Sequence, residues 1–301
     1  MSLEQLNRDF GISGQLDFVE GEGGLPFIAI DNGAASALIS VYGGQVLSYQ
    51  PSSASDDVMF LSDQAYFMEG KAIKGGVPIC WPWFGADPED KGRAAHGFAR
   101  NRMWQVLETE GNDEGLTKVV LGFSDSAETR AIWPHGFDFY LEITVGASLS
   151  LALVTRNSGV QPFAITQALH TYFKVGDIAQ VKVSGLDGGD YLDKVDDFSQ
   201  KQQVGDVQVA SEVDRVYTDV QPELVIEDGA LARRINISAT GSKTAVVWNP
   251  WAEITAGMAD LDDDAYKHFI CVETANAADD VVELAAGEEH RLTATYSVSQ
   301  D

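Results

Sequence analysis

The stretch FYLEITV-GAS-LSLALVT, residues 139–155, decides what kind of fold this chain can adopt. Two runs rich in β-branched, aromatic and leucine residues, 139–145 and 149–155, flank the small residues 146–148. Such an arrangement is typical of a β-hairpin, and Asn-Ser-Gly at 157–159 would end its second arm. The middle of the chain therefore predicts neighbouring antiparallel strands.

Strand-like runs of the same kind continue on both sides of this hairpin. They are Pro26–Ile30, Ala37–Tyr49, Val58–Leu61, Trp104–Glu108, Lys118–Ser124, Phe163–Phe173, Gln180–Ser184, Arg234–Ala239, Lys243–Trp248, Phe269–Glu273 and His290–Val298. One short helix is expected at Glu4–Gly11, and no run of a dozen residues sustains a helical apolar period. We therefore predict an all-β protein, a large antiparallel β-sandwich. Because the sequence shows no repeat and no linker, we expect residues 1–301 to form a single domain.

The composition narrows the possible functions. The chain has 301 residues and a net charge of −26, which disfavours nucleic acid and anionic membranes as partners. No basic and apolar leader opens the sequence, and no window is apolar enough to span a membrane. Cys80 and Cys271 lack any paired spacing, so we interpret them as small core residues of a reducing compartment. We expect a cytoplasmic protein, and a monomer.

One segment departs from the acidic background. Between Lys71 and Arg102 the chain carries six basic residues against three acidic ones, the basic ones being Lys71, Lys74, Lys91, Arg93, Arg100 and Arg102. Such a cluster could attract a phosphorylated metabolite to an otherwise negative protein. The alternative is a chance cluster on a solvated surface.

Two apolar strand-like stretches each carry residues that can exchange protons. Gln167–Phe173 contains Gln167 and His170, and Phe269–Asn276 contains Glu273. A histidine and a carboxylate shielded from water can act as an acid and base pair, for example to open the hemiacetal ring of a sugar. The alternatives are a core histidine bonded to a backbone carbonyl and a strand carboxylate paired with a lysine.

Three segments hold unusual numbers of glycine, proline and aromatic residues. They are Lys74–Gly85, His96–Arg100 and Trp248–Trp251. Aromatic faces beside hydrogen-bonding groups suit sugar rings, whose C–H faces are apolar and whose hydroxyls are polar. For any single tryptophan, packing in the core is the alternative.

Other functional motifs are absent from the sequence. It has no P-loop and no nucleophile elbow, and its five histidines make no short metal-ligand spacing. The acidic run Asp260–Asp264 lacks the glycine and terminal glutamate of a calcium loop, so we interpret it as a solvated loop. We predict neither a metal nor a cofactor.

Seven motifs in order carry a resemblance to a known family. They are KGGVPICWPWFG (74–85), HGFAR (96–100), QALHTYF (167–173), DRVY (214–217), WNPW (248–251), MADL (258–261) and CVETAN (271–276). Together they resemble the bacterial D-hexose-6-phosphate mutarotases, or glucose-6-phosphate 1-epimerases, of the aldose 1-epimerase-like group. The motifs span Lys74 to Asn276, and the flanking strands fit the same architecture.

The resemblance implies a β-supersandwich with a sugar cleft on one sheet face and a role for each matched residue. His170 matches the general acid at the ring oxygen, and Glu273 the general base at the C1 hydroxyl. His96 matches a second histidine at the ring oxygen or a neighbouring hydroxyl, and Asp214 a carboxylate that binds sugar hydroxyls. Arg100 and Lys74 match the positions expected to contact the phosphate.

The sequence departs from the family at Lys74, where the family usually has arginine. A lysine is a point charge and not a planar bidentate fork, so it would bind phosphate with a different geometry. The departure bears on how strictly the protein would select a sugar 6-phosphate, and it does not involve His170 or Glu273.

Three other functions remain open at this stage. A non-catalytic sugar-phosphate sensor on the same scaffold would need the cleft but not both proton-transfer groups. A glycoside hydrolase or lyase would need two suitably spaced carboxyl groups. A mutarotase of free sugars would differ only at the basic residues. The expected small-molecule partner in the preferred interpretation is a sugar phosphate, with glucose 6-phosphate first.

Overall fold

The computed structural model describes residues 1–300, and most of its regular structure is β-strand. The strands, numbered in chain order, are β1 (Leu16–Glu20), β2 (Pro26–Asp31), β3 (Ala35–Ser40), β4 (Gln45–Pro51), β5 (Ile79–Cys80), β6 (Gln105–Gly111), β7 (Thr117–Ser124), β8 (Phe137–Val145), β9 (Ser148–Asn157), β10 (Phe163–Ile165), β11 (Gln167–Leu169), β12 (Tyr172–Lys174), β13 (Val181–Ser184), β14 (Asp190–Asp193), β15 (Ser199–Gln202), β16 (Val213–Tyr217), β17 (Glu223–Asp228), β18 (Arg233–Thr240), β19 (Thr244–Asn249), β20 (Phe269–Asn276), β21 (Val282–Leu284) and β22 (Glu289–Gln300).

The helices are short and lie between strands or at the start of the chain. They are α1 (Leu3–Phe10), α2 (Ala127–Ile132) and α3 (Trp251–Ala256), with single 3₁₀ turns at Glu22–Gly24, Ala99–Asn101, Ile178–Gln180, Lys194–Asp196 and Ala265–Lys267. A capping box begins α1: Ser2 accepts a hydrogen bond from the Gln5 N–H, and the Gln5 side chain accepts one from Ser2. The helix expected at Glu4–Gly11 is therefore confirmed to within a residue at each end.

Two large antiparallel sheets organise the described residues. The front sheet runs β15-β14-β16-β19-β20-β11-β5, with β12 also paired to β20, and the back sheet runs β13-β17-β18-β22-β9-β8-β7-β6. A four-stranded sheet, β1 to β4, and the pair β10-β21 complete the architecture within residues 1–300. The hairpin predicted around residues 146–148 is the β8-β9 pair of the back sheet.

The main core lies between the front and back sheets. Along β8 every second residue is buried, the pattern of a strand with one face on a core. Its side chains join those of the front sheet, such as Leu169 and Val272, in one apolar cluster whose members range from Leu6 to Tyr296. The predicted antiparallel β-sandwich is confirmed.

Three predicted strands differ from the observed ones. Ala37–Tyr49 is a hairpin, because Gly43 and Gly44 adopt positive φ and a Cβ on Gly44 would come within 2.8 Å of the Trp104 ring. Val58–Leu61 makes only two isolated bridges, at Met59 and Leu61. Phe163–Phe173 is divided into β10, β11 and β12, and the last of these breaks forms part of the cleft.

Candidate active site

A cleft of about 240 Å³ opens on the face of the front sheet that points away from the back sheet. Along β20, Ile270 and Val272 belong to the core between the sheets, so the alternating residues Cys271 and Glu273 point the other way. The cleft is lined by Lys74, Phe84, His96, Arg100, His170, Tyr172, Lys194, Asp214, Val246, Trp248, Met258 and Glu273. All six residues singled out from the sequence thus lie around one cavity.

The strand register brings His170 and Glu273 together. Leu169 of β11 pairs with Thr274, and Tyr172 of β12 pairs with Cys271. Both short strands keep the same register against β20, so His170, in the gap between them, lies opposite Glu273. The Nε2 atom of His170 is 3.4 Å from Oε1 of Glu273, and both side chains are buried.

Burial shifts the two groups in opposite directions. It lowers the pKa of His170 well below its ordinary value, and the positive charges of Arg100 and Lys74 nearby act in the same sense. It raises the pKa of the Glu273 carboxyl well above its ordinary value, and the Asp214 carboxylate raises it further. Within residues 1–300, Nδ1 of His170 and Oε2 of Glu273 are buried without a hydrogen-bond partner. Burial thus favours the form of the pair in which Glu273 is protonated and His170 is neutral, and a proton passed from Glu273 to His170 gives the charged form.

His96 reaches the cleft from a tight loop beside Trp81. It has a positive φ of 64°, and the next residue, Gly97, packs so closely that a Cβ there would come within 1.9 Å of the Trp81 carbonyl oxygen. The Gly85 N–H donates to Nδ1 of His96 at 3.3 Å. Burial lowers the pKa of His96 to about 3, so the ring is neutral and its remaining N–H is on Nε2. His96 can thus donate one hydrogen bond to an oxygen in the cleft.

Asp214 and Lys194, which both line the cleft, form an ion pair. The Lys194 Nζ lies 2.6 Å from Oδ2 of Asp214, whereas Oδ1 is buried without a partner among the described residues. Burial raises the pKa of the Asp214 carboxyl despite the lysine. Lys194 was not predicted, because it stands in an acidic stretch of sequence that gives no sign of a binding site.

Two further cations face the cleft. The Lys74 Nζ lies 3.5 Å from Oδ2 of Asp260 and 4.0 Å from the sulfur of Met258. Arg100 donates to the Ala95 carbonyl at 3.1 Å, and within residues 1–300 it has no carboxylate partner. Together with Lys194 these side chains give the cleft three positive charges.

The other four basic residues of the segment from Lys71 to Arg102 do not line the cleft. Arg93 is paired with Asp87 and Glu89 and lies over the Trp83 ring at 4.3 Å. Lys91 is paired with Glu89 at 2.8 Å, and Arg102 with Glu128 at 3.2 Å. Of the six basic residues only Lys74 and Arg100 line the cleft. Acidic partners hold Lys91, Arg93 and Arg102 elsewhere, and Lys71 lies over the Tyr66 ring at 5.9 Å.

Aromatic side chains form the floor and walls of the cleft. The Tyr172 ring stacks on His170 with centroids 5.0 Å apart, and Trp248 meets His170 edge-on at 5.7 Å. Phe84 packs against His96 at 5.0 Å. These rings shield the polar pair and present flat apolar surface to a ligand.

The other tryptophans of the predicted sugar loops serve the core. Trp81 is fully buried, stacks on Phe139 at 4.3 Å and donates to Thr155 at 2.9 Å. Trp83 is also buried. Trp251 begins α3 and packs against Tyr266. For these three, the alternative of core packing is correct.

Two other sequence features have structural roles. Gln167 points away from the cleft and donates to Oδ1 of Asn276 at 3.0 Å. The acidic run Asp260–Asp264 is only partly solvated, since Leu261 is buried and Asp260 contacts Lys74.

No group of histidine, cysteine, aspartate and glutamate among residues 1–300 is placed to hold a metal ion. Nor does any helix of that part of the chain have the length and apolar character to span a membrane.

The fold and the cleft define an isomerase that acts on a sugar. The chain belongs to the aldose 1-epimerase family, whose sequence model matches residues 26–297. The family and the enzyme class expected from the motifs are thereby confirmed.

Similar proteins extend over nearly the whole chain. A protein of Escherichia coli (strain K12), provisionally named a glucose-6-phosphate 1-epimerase, is 39% identical over 256 residues, 85% of this chain and 84% of its own. A protein of Cenchrus ciliaris with the same provisional name is 38% identical, over 85% of this chain and 79% of its own. The crystal structure of YeaD from Salmonella typhimurium, provisionally a mutarotase, matches with a TM-score of 0.90 at 34% identity, covering 97% of this chain and 96% of YeaD.

Proposed function

We propose that this protein interconverts the α and β anomers of a hexose 6-phosphate, with glucose 6-phosphate as the first candidate. The observation that carries the proposal is the His170–Glu273 pair, 3.4 Å apart in a cleft with three positively charged side chains. In a cyclic sugar the anomeric oxygen O1 and the ring oxygen O5 are bonded to the same carbon. Two groups this close can therefore serve both oxygens at once.

Ring opening needs two proton transfers, and it begins once the pair has passed a proton from the Glu273 carboxyl to His170, which leaves a carboxylate beside an imidazolium. The Glu273 carboxylate takes the proton of the O1 hydroxyl, and the O–H electron pair forms the carbonyl double bond. The C1–O5 bond breaks, and O5 takes a proton from His170. Rotation about C1–C2 presents the other face of the aldehyde, and the reverse transfers close the ring to the other anomer.

The electrostatics of the pair favour this sequence. After ring opening Glu273 is protonated and His170 is neutral, which are the forms that burial favours in each group. The shielded site thus stabilises the protonation state that accompanies the open-chain intermediate. General acid–base catalysis of this kind contributes roughly 10²- to 10⁴-fold.

Four other residues hold the substrate in this proposal. His96 donates its Nε2–H to the ring oxygen or a neighbouring hydroxyl, and Asp214 accepts hydrogen bonds from sugar hydroxyls through its unpaired Oδ1. Lys74 and Arg100 contact the phosphate, with Lys74 acting as a point charge steadied by Asp260. The aromatic walls take the apolar face of the ring.

The proposal also covers the organisation of the protein. One apolar cluster spanning Leu6 to Tyr296 supports a single domain over residues 1–301. The strongly acidic composition supports the absence of nucleic-acid partners. We propose that the protein works in the cytoplasm, as a monomer.

The test is NMR exchange between the anomers of glucose 6-phosphate, compared with free glucose and galactose. Acceleration restricted to the phosphate ester supports the proposal. Equal acceleration of free sugars would keep the chemistry and remove the phosphate contacts. Binding of glucose 6-phosphate without acceleration would replace the proposal by the sensor.

A further inference from the structure

His170 is the central residue of a turn that interrupts the front sheet. The Thr171 N–H donates to the Leu169 carbonyl at 2.9 Å, a bond between residues two apart that defines a γ-turn. His170 is not among the residues with positive φ, so the turn is the common inverse form. The turn moves the chain out of the ladder with β20 at the point where His170 faces Glu273.

The backbone on either side of the turn is bonded to the segment before β5. The His170 N–H donates to the Pro78 carbonyl at 3.0 Å, and the Tyr172 N–H donates to the Gly76 carbonyl at 2.9 Å. These bonds fix the entrance and the exit of the turn. Leu169, whose carbonyl closes the turn, pairs with Thr274 of β20, which is one support of the turn on that side.

A chain of buried hydroxyls provides that second support. The Thr171 Oγ1 lies 2.7 Å from the hydroxyl oxygen of Tyr296, which is on β22 in the back sheet, and Thr171 Oγ1 donates to the Leu169 carbonyl at 3.3 Å. Either hydroxyl can be the donor in the bond between Thr171 and Tyr296. Both residues are fully buried, so neither hydroxyl can exchange its partner for water.

We propose that Tyr296 and Thr171 are positioning residues, which hold the turn that aims His170 at Glu273. The inference rests on the proposed function, since it takes the position of His170 to serve proton transfer. Tyr296 reaches the turn across the core and is not among the residues that line the cleft. Removing either hydroxyl leaves a buried partner unsatisfied and lets the turn relax, and a displacement of a fraction of an ångström in a catalytic group lowers the rate.

The experiment compares two hydroxyl deletions with two controls. Tyr296→Phe and Thr171→Val should each lower kcat about tenfold at unchanged KM, and the double variant should lose no more than either single one. Thr171→Ser keeps the hydroxyl and should retain wild-type kcat. Tyr49→Phe removes an equally buried tyrosine hydroxyl, bonded to the Gly146 carbonyl at 2.9 Å away from the cleft, and should leave kcat unchanged.

A second measurement separates this inference from the proposed function. The imidazole ¹⁵N resonances of His170 should shift in Tyr296→Phe and Thr171→Val and stay in place in Tyr49→Phe, whether or not the wild type accelerates anomer exchange. Unchanged resonances, or wild-type kcat in the Tyr296→Phe variant of an active enzyme, would overturn the positioning role. An equal loss of kcat in Tyr49→Phe would also overturn it, because the effect would then follow from lost stability.

Discussion

Glu273 faces His170 across a break in the front sheet, with 3.4 Å between Oε1 and Nε2. Both side chains are buried, and burial favours the uncharged form of each. A sheet interior normally excludes such groups because an unpaired charge there is costly. Because both groups lie at a cleft, we infer that the free-energy cost of burying them serves the activity. The same burial leads to predictions about stability.

Replacing Glu273 by glutamine should keep or increase stability. A folded-state pKa raised above the ordinary 4.5 means that the native state binds more protons than the unfolded state between those two values. Stability conferred by wild-type Glu273 therefore falls as pH rises through that window, and glutamine removes the effect. The Tm of Glu273→Gln should match or exceed wild type, by a margin that grows as the pH rises above the ordinary 4.5.

Asp228 provides the contrasting control. This buried carboxylate accepts hydrogen bonds from the N–H groups of Gly176, Ala230 and Leu231. Asp228→Asn should lose about 2 kcal/mol at neutral pH. A Glu273→Gln variant destabilised as much as Asp228→Asn would contradict the electrostatic description of the site.

His96 should make the protein sensitive to acid. Its folded-state pKa of about 3 lies below the ordinary 6.5, so between these values the unfolded state binds the extra proton and stability falls as pH falls. Asparagine tolerates the positive φ of 64° and does not titrate. Chemical denaturation of His96→Asn should show a pH slope smaller by about 1.4 kcal/mol per unit within this window. A slope identical to that of the wild type would show that His96 is not held neutral by the fold.

Lys74 and Arg100 should govern binding of the phosphate. Lys74→Ala and Arg100→Ala should each raise KM for glucose 6-phosphate about tenfold with little change in kcat, since a charge-assisted contact is lost in both ground and transition states. Lys91→Ala removes a charge from the same stretch of sequence but outside the cleft, and should behave as wild type. Equal KM values in all three variants would place the phosphate elsewhere.

Asp214 should raise the pKa of Glu273, the proposed base. Its carboxylate raises the pKa of Glu273. It also pairs with Lys194, whose positive charge lowers the pKa of Glu273 and would be less screened without this partner. In Asp214→Asn both changes lower the pKa of Glu273, so the acid limb of the kcat/KM profile should move to lower pH. A limb that stays in place while KM rises would restrict Asp214 to substrate binding.

The sequence was sufficient to predict the class of fold and the central pair. Apolar alternation and turn residues determine strands locally, so the β8-β9 hairpin and β20 could be recognised. His170 and Glu273 were visible because each is a proton-exchanging side chain in an apolar strand-like run. Their distance was not visible, because it depends on the γ-turn, and that turn is held by Tyr296 from the other sheet.

The environment of individual side chains was less predictable. Trp81 and Trp248 have similar sequence surroundings but different environments. Trp81 belongs to the core between the sheets and stacks on Phe139, whereas Trp248 lies on the opposite face of the front sheet and lines the cleft. Arg93 and Arg100 are equally basic, yet only Arg93 finds acidic partners nearby. Lys194 directly follows β14, and the pairing of β14 with β16 brings it next to Asp214. No pattern in the sequence links these two residues.

The central claim is tested most directly by NMR exchange between the anomers of glucose 6-phosphate with wild type and Glu273→Gln side by side. Glutamine keeps the shape of the side chain and removes the base. The account predicts rapid exchange with wild type and a rate lower by about 10²-fold or more with Glu273→Gln, while the variant still binds the sugar phosphate. Wild-type exchange rates in Glu273→Gln would contradict it.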